Sequence, residues 1–149
     1  PHSMQLFVLN ADPTVGADVH FLNTGVPHAV AFLDKLEGLD ISRLGAYLRY
    51  HEAFSPKGTN ANFARILSPW HIAIRTYERG VEDERLACGT GMTACALLHA
   101  VLTDAPSPIQ VDVAGGDTLK VGFQRTGDRF TDVTLTGPAD LVFTGDIQI

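Results

Sequence analysis

The stretch 86–95, LACGTGMTAC, carries the only two cysteines of the chain, and Cys88 stands directly before a Gly-Thr-Gly turn. A thiolate, not a thiol, is the reactive form, and a free thiol is only slightly ionised at neutral pH. A helix starting just after Cys88 would favour the anion, through its first N–H groups and the positive end of its dipole. Gly89 and Gly91 permit a tight turn and let a ligand approach the backbone closely. Their amides and the Thr90 hydroxyl would make a small anion nest beside the sulfur. A carboxylate held there would bring its neighbouring carbon against Cys88. The same residues equally suit a helix entry with a packed cysteine, because free cysteine is among the most buried residue types. Cys95 lies within an apolar run and reads as core.

Three further places supply complementary chemistry. Glu78-Arg79 closes an apolar run on the border of the loop leading to Cys88. Arginine is suited to bidentate carboxylate recognition, and a neighbouring glutamate could take an ammonium group. Asn60 follows a turn at Gly58, and His28 follows Pro27. Each has a plain structural reading as an exposed ion pair, turn chemistry or a satisfied histidine. Together, an anion nest, a carboxylate, an arginine and a polarisable thiol suit an amino-acid ligand.

The elements that must position these groups follow from composition and pattern. With 149 residues, 45% of them hydrophobic, the chain can close one core without metal or disulfide staples. Fourteen glycines and 19% charged residues favour a turn-rich α+β or all-β domain. The net charge of −6 and the lack of any Lys/Arg run argue against nucleic acid as a partner. No apolar stretch approaches membrane-spanning length. On one helix, the two cysteines would lie about 10 Å apart along the axis, beyond the roughly 7 Å that a disulfide allows. The expectation is a reduced, cytosolic protein. Pro1-His2-Ser3-Met4 reads as a remnant of expression and is set aside, leaving one domain over 5–149.

Along the chain, residues 5–9, 18–23 and 29–33 read as extended, with a loop at 12–16 and an interruption at 24–28. Apolar residues at 41, 44, 47 and 48 predict a helix with Asp40 as its N-cap. Residues 62–67 and 71–77 read as strands; Ile72 and Ile74 face one way, Arg75 and Tyr77 the other. Residues 80–86 read as a polar loop. Residues 92–102 are apolar on all sides and predict a buried helix. Strands follow at 109–113, 119–123, 130–135 and 141–143, the first two joined by a Gly115-Gly116 hairpin. The fold expected is a curved, largely antiparallel, barrel-like sheet wrapped around the central helix.

Four segments now carry a resemblance to the diaminopimelate epimerase family. They are Asn23-Thr24-Gly25-Val26-Pro27-His28; the pair Arg49-Tyr50-His51-Glu52-Ala53-Phe54 and Gly58-Thr59-Asn60-Ala61-Asn62-Phe63; the run Arg75-Thr76-Tyr77-Glu78-Arg79-Gly80-Val81-Glu82-Asp83-Glu84; and Ala87-Cys88-Gly89-Thr90-Gly91. With the ending Gly137-Pro138-Ala139 they cover nearly the whole chain in the family's order. The resemblance implies a cofactor-independent and metal-free isomerase interconverting L,L- and meso-2,6-diaminopimelate. Two cysteines, one from each of two domains, would exchange the Cα proton on opposite faces. This chain then corresponds to the C-terminal half, and the N-terminal half with its Cys-Gly-Asn-Gly stretch has no counterpart in it.

By that likeness Cys88, Glu78 and His28 belong to the catalytic centre, and Asn60, Glu78, Arg79, Gly89 and Thr90 contact substrate. Many members carry asparagine at the position of Val26, and valine cannot donate the corresponding bond, so distal recognition is expected to differ. Partners implied are an amino-acid substrate, the other domain, and a second copy paired through an exposed strand edge near 137–149. Neither nucleic acid nor membrane is expected. Inversion by this chain alone is expected to be negligible. Another reading is a binding or interaction module that retained the half-fold. A cysteine hydrolase pairing Cys88 with His28 or His51 lacks any local hydrolase signature.

Overall fold

The computed structural model describes residues 5–9, 17–127 and 129–137. The expected loop at 12–16, the strand at 141–143 and most of the proposed dimer edge lie outside the described residues. Strands β1 (Gln5–Leu9), β2 (Ala17–Asn23) and β3 (Pro27–Phe32) precede helix α1 (Ile41–Arg49) and a short 3-10 turn, Glu52–Phe54. Then come β4 (Asn60–Ser68), β5 (His71–Glu78), β6 (Asp83–Arg85) and helix α2 (Gly89–Thr103). Strands β7 (Ile109–Asp112), β8 (Thr118–Thr126) and β9 (Arg129–Thr136) complete the described fold.

The strands form one sheet in the order β1-β2-β3-β4-β5-β7-β8-β9, with β6 on the edge of β5. Pairings are antiparallel except β3–β4 and β5–β7. Parallel neighbours need a long crossover. Helix α1 lies in the first crossover, and β6 with α2 lies in the second. The expected α+β fold is therefore present, with a mixed sheet that curls around α2. That helix touches β2, β3, β4, β5, β7, β8 and β9.

Alternation along the strands sends residues to two separate cores. Facing α1 are Val19, Ala29, Ala31, Ala61, Phe63 and Tyr77, packed on Ile41, Leu44 and Leu48. Facing α2 are Leu22, Val30, Ala64, Ile72, Ile74, Val111 and Val121. Asp40 caps α1 as expected, its side chain accepting the Arg43 N–H at 3.2 Å. Gly45 rather than Tyr47 completes the inward stripe, because a Cβ at 45 would collide with the Tyr77 ring.

Three expectations need correction. Residues 80–86 are not wholly loop, since β6 pairs back onto Thr76–Glu78. Its side chains are polar because the strand lies at an edge, where backbone bonds suffice. The ladder of β7 and β8 ends at Asp112–Thr118, so residues 113–117 form the turn and not Gly-Gly alone. Val113 is buried in the core instead of extending the ladder. Finally, α2 begins at Gly89, earlier than the apolar run at 92. Its first turn is Gly89-Thr90-Gly91, which follows Cys88 directly and lacks the apolar pattern that set the bound at 92.

Candidate active site

The face of the sheet under α2 changes character along its length. His28, Val30 and Phe32 of β3 share that face with Asn60, Asn62 and Ala64 of β4 and with Ile72, Ile74, Thr76 and Glu78 of β5. Val30, Ala64, Ile72 and Ile74 join the apolar core. His28, Asn62 and Thr76 lie under the first turn of the helix and are polar, yet none exceeds 2% exposure. Buried polar groups persist when they are hydrogen-bonded, and these are bonded to one another.

The Thr76 hydroxyl donates to Asn62 Oδ1 at 2.9 Å. Asn62 Nδ2 donates to the Ala29 carbonyl at 3.1 Å and lies 3.0 Å from His28 Nδ1. On the other side of the ring, His28 Nε2 lies 2.8 Å from Thr90 Oγ1. Thr90 Oγ1 lies 3.6 Å from Cys88 Sγ. A line of polar contacts thus runs from the middle of the sheet to the thiol. Burial, and secondarily the Arg79 cation, lowers the His28 pKa to about 4, so the ring is neutral at neutral pH.

Cys88 is the N-cap of α2, in extended backbone, and its side chain makes no capping bond. The amides of Gly89, Thr90 and Gly91 are first-turn N–H groups that intrahelical carbonyls leave unserved. The turn is fastened by the Thr24 hydroxyl, which donates to the Thr90 carbonyl at 3.1 Å. Gly91 is required by close approach: a Cβ there would lie 2.7 Å from Asn62 Oδ1 and 3.3 Å from Cys88 Sγ. Cys88 is partly exposed and Cys95 is buried, both as free thiols. Burial pushes the Cys95 thiol pKa strongly upward.

Asn60 acts as a clip. Its Nδ2 donates to the Pro27 carbonyl at 2.9 Å, and its Oδ1 accepts the Arg79 N–H at 2.7 Å. The end of β5, with Glu78 and Arg79, is thereby tied to the start of β3. Glu78 is half-buried and pairs with Arg85 at 3.3 Å. The Arg79 guanidinium donates to the Lys57 carbonyl at 3.2 Å. Behind this turn, Glu82 accepts from Arg49 Nε at 2.9 Å, from Gly80 N at 2.7 Å and from the Tyr50 hydroxyl. Those bonds, the Tyr50 contact foremost, hold the Glu82 carboxyl at a pKa of about 2 and fix the turn to α1.

Among the residues named from sequence, Cys88, Thr90 and His28 are in one contact chain. Asn60 and Arg79 form another at the neighbouring strand ends. His28 meets Thr90, which in turn meets Cys88. His51 caps the 3-10 turn, its Nδ1 accepting from Ala53 N at 3.0 Å. The sulfur's polar neighbour is the Thr90 hydroxyl rather than either ring, so the geometry gives no support to a hydrolase pair. Asn62, Thr76 and Thr24 were not singled out from sequence, whereas Gly91 was, as a glycine that permits close approach. The signal for Asn62 was present, because the Asn60-Ala61-Asn62 alternation puts two amides on one face of a strand. Thr76 and Thr24 carried no comparable signal.

The family model for diaminopimelate epimerase matches residues 20–142. The chain belongs to the diaminopimelate epimerase family. It is 44% identical over 131 residues to a diaminopimelate epimerase of Chlorobaculum tepidum, covering 87% of this chain and 50% of that protein. Against the enzyme of Flavobacterium psychrophilum it is 46% identical over 124 residues, covering 83% and 48%. Against that of Aquifex aeolicus it is 44% identical over 129 residues, covering 86% and 45%. The chain therefore spans about half the length of the curated relatives it matches. No helix among the described residues is long and apolar enough to cross a membrane.

Proposed function

We propose that this chain forms one side of an amino-acid epimerase site that interconverts L,L- and meso-2,6-diaminopimelate by proton transfer at Cα. The observation that carries the reading is the placement of Cys88. A partly exposed thiol heads a buried helix, beside first-turn amides and the Thr90 hydroxyl 3.6 Å away. In this reading the substrate carboxylate sits on the Gly89 and Thr90 amides, and Cys88 as thiolate takes the proton from the adjacent carbon. The electron pair left behind delocalises into the carboxylate, where the amides and the helix dipole stabilise the charge. Glu78 receives the ammonium group, and Arg79 and Asn60 serve the distal end. His28 acts through Thr90.

Inversion requires a proton delivered to the opposite face, which a single thiol on this face cannot supply. The second base belongs to the other half found in the family's longer proteins, so this half by itself is expected not to epimerise. The family likeness and the cysteine turn support the reading jointly. Val26 supports a second one. It occupies the turn fastened to the Thr90 carbonyl and offers no polar side-chain group, consistent with a half-fold retained for binding.

The test joins this chain to the first half of a relative and follows diaminopimelate in deuterated water by NMR. Exchange of the α-proton, lost on Cys88→Ala, is expected. A well-folded two-domain protein that binds diaminopimelate without exchange would establish the binding reading instead.

A further inference from the structure

We propose that Asn62 is a positioning residue: it fixes the tautomer of His28 and thereby aims the Thr90 hydroxyl at the Cys88 sulfur. The catalytic consequence rests on the epimerase reading above, but the tautomer can be observed without turnover.

Asn62 is fully buried in β4, and its amide can sit in only one orientation. The Ala29 carbonyl, 3.1 Å from Nδ2, can only accept, so the N–H end must face it. The Thr76 hydroxyl at 2.9 Å then gives its proton to Oδ1. The second Nδ2 proton points to His28 Nδ1 at 3.0 Å. Nδ1 must accept, so the proton of the neutral ring resides on Nε2. That N–H donates to Thr90 Oγ1 at 2.8 Å. A hydroxyl that accepts from His28 keeps its own proton for another partner, and Cys88 Sγ lies 3.6 Å away.

The other tautomer would reverse the outer links. Nε2 would take the Thr90 proton, and the sulfur would face an oxygen lone pair. The direction of each bond therefore traces back to one backbone carbonyl through Asn62. Burial and Arg79, the cation that acts on the ring, oppose a second proton on His28. A thiolate at Cys88 gains a hydroxyl donor in this arrangement, and charge-assisted bonds of that kind are the stronger ones.

The test is a two-bond proton–nitrogen correlation spectrum of this chain with labelled histidines. The chain has six histidines, so His28→Gln identifies the signals. Wild type is expected to show a neutral ring protonated at Nε2 at pH 7 and down to about pH 5. Asn62→Asp removes the donor and gives Nδ1 a carboxylate, so a doubly protonated ring is expected at pH 7. Alkylation of Cys88 by iodoacetamide, read by mass spectrometry, is expected to slow about threefold to tenfold in Thr90→Val. It should speed up in Asn62→Asp, where the imidazolium favours the thiolate.

A merely structural Asn62 would lower the melting temperature of its variant without moving the proton. A wild-type ring protonated at Nδ1, or charged at pH 7, overturns the proposal. So do unchanged His28 signals in folded Asn62→Asp, or a wild-type alkylation rate in folded Thr90→Val. If Asn62→Asp does not fold, the wild-type spectrum decides alone. Loss of the epimerase reading would show as absent α-proton exchange with the tautomer intact, so the two failures are distinguishable.

Discussion

Cys88 and Cys95 belong to the same helical segment and differ in almost everything that governs a thiol. Cys88 precedes a first turn whose amides lack intrahelical partners, the Thr90 hydroxyl lies 3.6 Å from its sulfur, and it reaches solvent. Cys95 lies on the body of α2 at 0% exposure, among Met92, Leu98 and the sheet. The helix is common to both, so the difference comes from what the sheet presents beneath each. Under the first turn it presents His28, Asn62 and Thr76, and further along it presents Val30, Ile72 and Ile74. One layer thus holds a polar end able to support charge and a dry end that disfavours it.

The sharpest way to break this comparison is to exchange the fates of the two thiols. In the joined two-domain protein, Cys88→Ala is expected to reduce α-proton exchange about 10²- to 10⁴-fold or more, the range for losing a positioned base. Cys95→Ala should leave exchange within a few-fold of wild type. Equal losses in both would mean that Cys88 has no special role.

Acid should act on the polar end next. His28 titrates at about 4 in the fold against an ordinary 6.5, so its folded value is depressed. The stability this represents is complete above pH 6.5, and it is lost progressively as pH falls toward 4. About 2–3 kcal/mol is at stake. Urea unfolding between pH 7 and 4.5 measures it, and His28→Gln should flatten the slope. The same slope in both proteins would remove His28 as its source.

Gly91 tests how closely the helix must sit on the polar end. Gly91→Ala puts a methyl group against Asn62 Oδ1 and is expected to cost about 1–3 kcal/mol. Iodoacetamide labelling should show Cys88 reactivity changing in the same variant. Wild-type melting together with wild-type labelling in Gly91→Ala would mean that the first turn is not held as described. The smallest effect is expected at the dry end. Cys95→Ala should lower stability by about 1 kcal/mol, a loss of buried volume without lost bonds, as read by thermal melting.

Much of the fold was legible because the signals were periodic. The helix capped by Asp40, the buried helix after Cys88 and most of the strands followed from spacing of apolar residues. What was missed had no apolar signature. β6 is a polar edge strand held by backbone bonds, and the early start of α2 lies in glycine-rich sequence. The parallel pairings were implicit in the crossover helices but invisible to a strand-by-strand reading.

The site was legible in part for the same reason. Cys88, Gly89 and Thr90 are contiguous, and their chemistry needs only a helix start. The link from His28 to Thr90 spans 62 positions, and that from Asn62 to His28 spans 34. No local pattern encodes such distances; the β3–β4 register and the seating of α2 create them.

By itself, the sequence determined which residues are chemically able: a thiol before a helix, an asparagine after a turn, a glutamate and arginine at a strand end. Local physics suffices for these, since side-chain type, turn geometry and alternation act over a few residues. Tertiary structure alone decided which of them meet. It placed the His28 ring between Asn62 and Thr90, turned Asn60 into a clip for Arg79, and surrounded Cys95 with core. The reason is that burial and hydrogen-bond direction depend on neighbours from other strands. The curled sheet brings those neighbours under a single helix turn.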